Sequence, residues 1–221
     1  DAQWRESRKV ILSLILGTDM AHHFDQVSKT QLFLEVNGED VKGYCYGKKD
    51  DIECFAEEKN RIFIMELFLH CADISNPYKP FNICARWADL VSEEFFSQGD
   101  KEKEGGMEIS PMMDRHTSNL FNMQMGFIEF VVSPLINSVV NLFPPLKETG
   151  ENMLGNYLQW GEKRKEEIRG MADPAMTKEK KEEEVKKLED RMGKFKEKMS
   201  YLQTLKRRNS NGSIPTSHHS H

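Results

Sequence analysis

Cysteine is scarce in this sequence, and its spacing limits the class of protein. The 221 residues contain four cysteines, and no two of them form a C-x-x-C pair. Disulfide frameworks belong to secreted proteins, whereas cysteines inside apolar helical patterns are typical of reduced thiols in intracellular ones. We therefore predict a cytoplasmic protein with reduced thiols at Cys45, Cys54, Cys71 and Cys84.

The sequence also lacks an excess of positive over negative charge and has few long apolar runs. The formal net charge is −5, whereas a general nucleic-acid binder shows a basic surplus. We find no N-terminal signal sequence and no apolar run of about 18 residues that would span a membrane. The chain opens without methionine in the middle of a helical pattern. We therefore expect that any membrane association would occur through regions before Asp1. We predict neither a nucleic-acid partner nor a membrane segment in this chain.

Apolar residues recur at helical spacing through most of the chain, which predicts an all-α fold. We expect a multi-helix bundle followed by a charged C-terminal helix. The predicted bundle helices are one from Trp4 through "GTDMAHHF", 58–73, 81–98, a long helix at 113–142 kinked at Pro134, and one from Glu148.

Two connections interrupt the predicted bundle. Asn37-Gly38 indicates a turn, a short hairpin or a loop, and "SQGDKEKEGG" reads as a solvated connection. The helix at 81–98 is expected to turn one apolar face inward, with Ile83, Trp87, Leu90, Val91, Phe95 and Phe96.

From about residue 176 the sequence becomes highly charged, but its apolar residues alternate steps of three and four. They form an a/d seam of about three heptads, made of Val185, Leu188, Met192, Phe195, Met199 and Leu202. The seam predicts either a homodimer contact through residues 185–202 or a single helix laid back on the bundle. We divide the chain into a bundle (1–165), a charged helix (166–206) and a disordered tail (207–221).

The tail carries one modification pattern. "KRRNSNGS" contains R-R-x-S, which basophilic kinases recognise because guanidinium groups pair with acidic residues in their clefts. Ser210 is the candidate phosphorylation site.

Asp73 ends the apolar run "RIFIMELFLHCAD", just before the helix-stopping pair Asn76-Pro77. A buried carboxylate is costly unless a cation or hydrogen-bond donors compensate it, and a divalent cation is the simplest partner. His70 lies one turn earlier on roughly the same face. The alternatives are a deep metal ligand and a solvent-exposed helix end. One aspartate alone cannot hold a catalytic metal. The adjacent His22 and His23 point about 100° apart on a helix and are therefore poor joint ligands. We interpret them as surface residues or as residues at the edge of the core.

Gln124 lies inside the apolar stretch "FNMQMGFIEFVV". An amide offers a donor and an acceptor side by side, which suits the edge of a purine. Phe127 lies three residues on, on the same face, and would stack a ring while Gln124 hydrogen-bonds its edge. The alternative is a glutamine that hydrogen-bonds between helices.

Four blocks together resemble the catalytic domain of class I cyclic-nucleotide phosphodiesterases. They are "ILGTDMAHH" around residues 16–23, "HCADISNP" at 70–77, "EEFFSQGDKEKEGGMEISPMMDR" at 93–115 and "QMGFIEFVVSPL" at 124–135. They occur in the family's order and spacing, and the resemblance covers about residues 4–165.

The resemblance implies specific roles. Asp73 matches a metal ligand that also contacts substrate, Gln124 the purine-binding glutamine, and Phe127 the clamp phenylalanine. Further nucleotide-pocket positions are Met20, Asn76, Val91, Phe95 and Met112. Thr18 and Asp19 match positions that support the second metal through water.

The family's other three metal ligands and its general-acid histidine lie in H-N-x-x-H and H-D-x-x-H motifs upstream of residue 1. This chain therefore resembles the C-terminal half of a catalytic domain, and we expect it to be inactive alone. For the intact protein the resemblance implies Zn²⁺ beside Mg²⁺ (or Mn²⁺) and hydrolysis of a 3′,5′-cyclic nucleotide to a 5′-nucleoside monophosphate. "DISNP" resembles the cAMP-preferring subfamilies, and "DISN" also occurs in a cGMP-preferring branch. We favour cAMP over cGMP as the substrate. The alternative is a non-catalytic purine-nucleotide-binding or coiled-coil regulatory module.

Overall fold

The computed structural model describes residues 2–173 and 176–205, and within these ranges the chain is helical with no β-strand. The all-α prediction is confirmed. The α-helices are α1 (Ala2–Leu16), α2 (His23–Cys45), α3 (Glu58–Asp73), α4 (Phe81–Glu104), α5 (Leu120–Gly126), α6 (Ser133–Leu142), α7 (Lys147–Gly170) and α8 (Lys178–Lys198). A π-helical segment, Phe127–Val132, joins α5 to α6. Short 3₁₀ turns lie at Met20–His22, Glu53–Ala56, Asn76–Tyr78, Pro144–Leu146 and Ser200–Gln203.

The core forms around α6 and α7. The helix α6 packs on α2, while α7 packs on α5, α6 and α8, and α1 packs on α3. Burial of these apolar faces provides the main driving force for the bundle. Its fully buried residues include Leu67, Met125, Ile128, Leu135, Leu142, Met153 and Tyr157.

The predicted interruption at Asn37-Gly38 is wrong, because α2 runs unbroken from His23 to Cys45. Phe33 and Val41 are buried on either side of this pair, at 8% and 0% exposure. Tertiary packing of α2 on α6 therefore overrides the local turn preference of Asn-Gly. The first helix shows the opposite error, since α1 ends at Leu16 instead of continuing through "GTDMAHHF".

The helix α4 matches its predicted start but differs in length and in its buried face. It continues to Glu104, through most of the predicted connection. Its buried positions are Cys84, Ala88, Ser92 and Gly99. Three residues predicted to point inward are instead exposed, namely Ile83, Trp87 and Leu90.

The long helix predicted at 113–142 begins only at Leu120. The segment Leu120–Leu142 is nevertheless long and apolar enough to cross a membrane, contrary to the expectation that the chain has no such run. In its most apolar window 56% of the residues are buried inside the protein, as in the core helix of a water-soluble domain.

The charged helix α8 lies back on the bundle. All six seam residues, Val185 to Leu202, are buried in this chain at 1–8% exposure, and Phe195 stacks on Tyr157 of α7 with ring centroids 4.0 Å apart. The seam is therefore occupied within one chain, which corrects the predicted homodimer contact through 185–202. The boundary predicted at residue 165 falls inside α7, and Ser210 lies outside the described residues.

Gly99 permits the closest backbone approach that we find along α4. A Cβ at this position would lie 2.0 Å from the carbonyl oxygen of Met113, in the loop that joins α4 to α5. We predict that Gly99→Ala displaces this loop and lowers the free energy of unfolding by about 1–3 kcal/mol or more, because backbone atoms cannot move aside cheaply.

The matched control is Gly193→Ala in α8, where a Cβ meets nothing within 4 Å. There alanine should stabilise the chain by up to about 1 kcal/mol through its helix propensity. Urea denaturation measures both effects, and equal stabilities for the two variants would contradict the packing assigned to Gly99.

Candidate nucleotide and metal site

Six of the predicted nucleotide-pocket residues line one small cavity of about 130 Å³. They come from four separate segments of the chain, and they are Asn76, Val91, Phe95, Met112, Gln124 and Phe127. Pockets for drug-sized ligands measure about 300–1,000 Å³, so this cavity fits a flat ring and not a whole nucleotide. Four lining residues had no predicted role in the pocket, namely Pro77, Trp87, Ala88 and Met123.

The turn that carries Asn76 is fixed from two sides. Asn156 of α7 donates its Nδ2 hydrogens to the carbonyl oxygens of Pro77 and Lys79, at 2.8 Å each. The hydroxyl of Tyr78 donates to the carbonyl oxygen of Cys71 at the end of α3. Because Asn156 is itself buried, the Asn76–Tyr78 turn is held firmly between α3 and α7.

The loop that carries Met112 is anchored on α4. Both the amide and the hydroxyl of Ser110 donate to the Glu102 carboxylate, at 2.7 and 2.8 Å. Arg115 donates three hydrogen bonds to Asp100, at 3.3, 3.0 and 2.7 Å. Within this loop Met112 has a φ of 68°, a left-handed conformation that is uncommon for a non-glycine residue and clusters at ligand sites. Sequence periodicity gave no signal for these polar anchors.

The Gln124 amide is half-buried at the cavity wall, and no described side chain or backbone group hydrogen-bonds it. Its helix is fixed independently, because Asn119 caps α5 by accepting from the amide of Asn122 and donates to Glu167 of α7 at 2.8 Å. The Gln124 side chain is therefore presented on a fixed backbone with both its donor and its acceptor available.

Phe127 opens the π-helical segment, which ends directly before Ser133 and Pro134. Proline has no amide hydrogen to donate. The amide of Ser133 donates to the carbonyl of Ile128, five residues back. The Ser133 hydroxyl then satisfies the carbonyl of Glu129 at 3.0 Å. Such π-helical turns are rare and occur often at functional sites.

Asp73 is the last residue of α3, and its side chain is exposed among the described residues. Among the described residues no group forms a hydrogen bond or ion pair with its carboxylate. A negative charge at a helix C-terminus is unfavourable by about 0.3–1 kcal/mol. The carboxylate fits one ligand position of a divalent cation. Within the described ranges, however, no group of three His, Cys, Asp or Glu side chains is placed to hold a metal ion.

His23 and His70 form a buried contact that the sequence analysis missed. His23 Nδ1 lies 2.8 Å from His70 Nε2, and His23 Nε2 lies 3.0 Å from the carbonyl oxygen of Val131. Since a carbonyl only accepts, His23 Nε2 carries hydrogen, and for two neutral rings His70 donates to His23. Burial lowers the pKa of both histidines. Adjacent histidines on a helix gave no sign that only His22 would be exposed.

Thr18, Asp19 and Met20 shortly precede His23, which contacts His70 near the end of α3. The Thr18 hydroxyl donates to the carbonyl of Ile15 at 2.8 Å, and Asp19 Oδ1 accepts from the amide of Ala21 at 2.9 Å. Both side chains thus cap local backbone. Met20 is exposed and does not line the cavity.

Comparison with known proteins assigns this chain to a family. Residues 1–153 match the family model of the 3′5′-cyclic nucleotide phosphodiesterase, and the chain belongs to this family. It is 38% identical over 138 residues to the 3′,5′-cyclic-AMP phosphodiesterase, isoform F, of Drosophila melanogaster, a match that covers 62% of this chain and 20% of that protein. Isoform I is equally similar, with 11% of its length covered.

Two solved structures are similar in fold and sequence. The phosphodiesterase domain of Salpingoeca rosetta rhodopsin phosphodiesterase gives a TM-score of 0.67 at 27% identity, covering 76% of this chain and 48% of that one. LmjPDEB1 in complex with IBMX gives 0.58 at 31% identity, covering 70% and 42%. The chain therefore spans under half of these structures and about a fifth or less of the curated relatives.

The buried histidine pair predicts a pH dependence of stability. Because folding lowers both pKa values below 6.5, the unfolded chain binds more protons than the folded one in acid. The contribution of the two histidines to the free energy of unfolding is fully present above about pH 6.5. It is lost as the pH falls from there through the folded-state pKa values. The slope reaches at most about 1.4 kcal/mol per pH unit for each histidine.

Urea denaturation between pH 8 and pH 5 measures this slope. His23→Gln should reduce it, whereas His22→Gln, at an exposed position, should leave it unchanged. A parent slope that does not differ from that of His23→Gln would show that the pair does not titrate as described.

Proposed function

We propose that the whole protein hydrolyses a 3′,5′-cyclic nucleotide, with cAMP favoured over cGMP, to a 5′-nucleoside monophosphate. The observation that carries this proposal is the cavity in which Gln124 and Phe127 meet Asn76. Phe127 would stack on the purine while Gln124 hydrogen-bonds its edge. The names of the Drosophila relatives support cAMP, although the unpartnered amide of Gln124 would rotate to suit either purine.

Asp73 would hold one divalent cation, and we propose Zn²⁺ together with Mg²⁺ (or Mn²⁺) in the complete site. When bound, such metals supply Lewis-acid activation of water and of the phosphate. Asp73 supports this role by standing exposed and unpaired at the unfavourable end of a helix dipole. Thr18 and Asp19 shortly precede His23, which contacts His70 near Asp73. Their oxygen lone pairs that are not used in capping would accept hydrogen bonds from water in the metal site.

Large apolar side chains on α1 and α2 are exposed, including Trp4 at 64%, Leu16 at 69% and Val36 at 73%. Exposed apolar area on this scale marks an interaction surface. We propose that these faces pack against the rest of the catalytic domain, since this chain covers under half of the two solved relatives described above. The remaining metal ligands and the general acid would then come from that part, and residues 1–221 alone would not turn over substrate.

Gln124→Ala should weaken nucleotide binding in the whole protein. Loss of one hydrogen-bonding group costs about 1–3 kcal/mol, which corresponds to a rise in KM of about fivefold or more. Asn122→Ala is the matched control, because this exposed amide lies two residues earlier on α5 and outside the cavity. Steady-state kinetics with cAMP and cGMP measures both. An unchanged KM and purine preference in Gln124→Ala would exclude the clamp, and a protein that binds but never hydrolyses would favour the non-catalytic alternative.

Asp73→Asn should abolish activity and bound metal in the whole protein, because the amide carries no charge. The same substitution in residues 1–221 should leave stability unchanged or raise it by up to about 1 kcal/mol, since it removes a charge that opposes the helix dipole. Asp89→Asn, at an exposed position on α4, is the control that should retain metal. Elemental analysis and thermal denaturation measure the two effects. Retention of both metals by Asp73→Asn would remove Asp73 from the site.

A further inference from the structure

The helix α8 lies beyond residues 1–153 that the family model matches, yet it contacts the segment that presents Phe127. Arg191 of α8 donates its Nε hydrogen to Glu129 Oε2 at 2.8 Å. The hydroxyl of Tyr157 in α7 donates to the same oxygen at 2.9 Å. One carboxylate of the π-helical segment is thus held by donors from two other helices.

This contact is partly shielded from water. The Glu129 and Arg191 side chains are 22% and 32% exposed, and Tyr157 is fully buried beneath the ring of Phe195. Burial raises the pKa of Tyr157, so its hydroxyl remains a donor at neutral pH. Charge-assisted hydrogen bonds in such surroundings are stronger than those at an open surface.

Glu129 follows Phe127 by two residues in the same segment. Residues two apart on a helix point to roughly opposite sides. Phe127 therefore lines the cavity while Glu129 faces α7 and α8. Because a π-helical turn is rarely stable by itself, its geometry depends on contacts of this kind with the surrounding helices.

We propose that Glu129 and Arg191 are positioning residues for the nucleotide clamp, and that α8 acts as a brace behind it. The brace holds the π-helical segment in the geometry that directs Phe127 into the cavity. Only the identity of the ligand in this inference rests on the proposed function. The bracing itself is a property of the folded chain.

Hydrogen exchange of residues 1–221 tests the brace without requiring activity. Arg191→Met removes the guanidinium while keeping an apolar stem, and the amides of residues 127–133 should then exchange about tenfold faster or more. Lys187→Met is the matched control, since among the described residues Lys187 forms ion pairs with only Glu183 and Glu184 of α8, at 2.8 and 3.0 Å. Unchanged exchange at 127–133 in Arg191→Met, or an equal increase in Lys187→Met, would overturn the proposal.

Kinetics of the whole protein tests the consequence for the ligand. Arg191→Met should raise KM about threefold to tenfold with little change in kcat, because the clamp moves while Asp73 does not. Glu129→Gln should act similarly, because it removes the charge that strengthens the contact. The double variant should lose less than the sum of the two single losses, since the two residues share one contact. Additive losses, or an equal fall in kcat, would overturn the positioning role. If the parent binds no nucleotide, the proposed function fails, and the exchange result still decides whether α8 braces the segment.

Discussion

The buried contact of His23 with His70 and Val131 is the interaction on which the arrangement of the site depends. His23 begins α2, His70 lies one turn before the end of α3, and Val131 belongs to the π-helical segment. One imidazole therefore joins the helix that ends in the candidate metal ligand to the segment that begins with the candidate clamp. Two neutral rings serve this purpose because one nitrogen donates while the other accepts. A protonated pair would place two charges 2.8 Å apart inside the protein.

The π-helical segment is where local chemistry and tertiary contacts meet. Pro134 removes a backbone donor, and the Ser133 hydroxyl replaces it at the carbonyl of Glu129. The segment then contacts its neighbours on separate sides, through Val131 toward His23 and through Glu129 toward Tyr157. Because π-helical hydrogen bonding is rare, we expect the contacts with neighbouring helices to fix the conformation of this segment.

The cyclic nucleotide phosphodiesterase family model matches residues 1–153, and the remaining described residues complete α7 and add the packed helix α8. The helix α8 covers α7 with an apolar face that resembles a coiled-coil seam. A seam of this kind is satisfied equally well by a second copy or by the same chain, since both bury the same side chains. The intramolecular solution avoids the entropy that association costs.

The sequence by itself determined the all-α class, the span of α3, the start of α4 and six of the ten residues that line the cavity. Helical periodicity is a local property, and ordered motif blocks report a family whose pocket positions transfer residue by residue. Gln124 and Phe127, three residues apart across the start of the π-helical segment, are the clearest case.

Only the tertiary structure decided which faces are buried and which polar groups meet. Asn37-Gly38 lies within a helix because α6 packs against α2, and Trp87 lines the cavity although its periodicity suggested the core. His23 and His70 are 47 positions apart, and Glu129 and Arg191 are 62 apart. Contacts between residues so distant in sequence leave no periodic signal, because they depend on how helices are placed and not on which helices form.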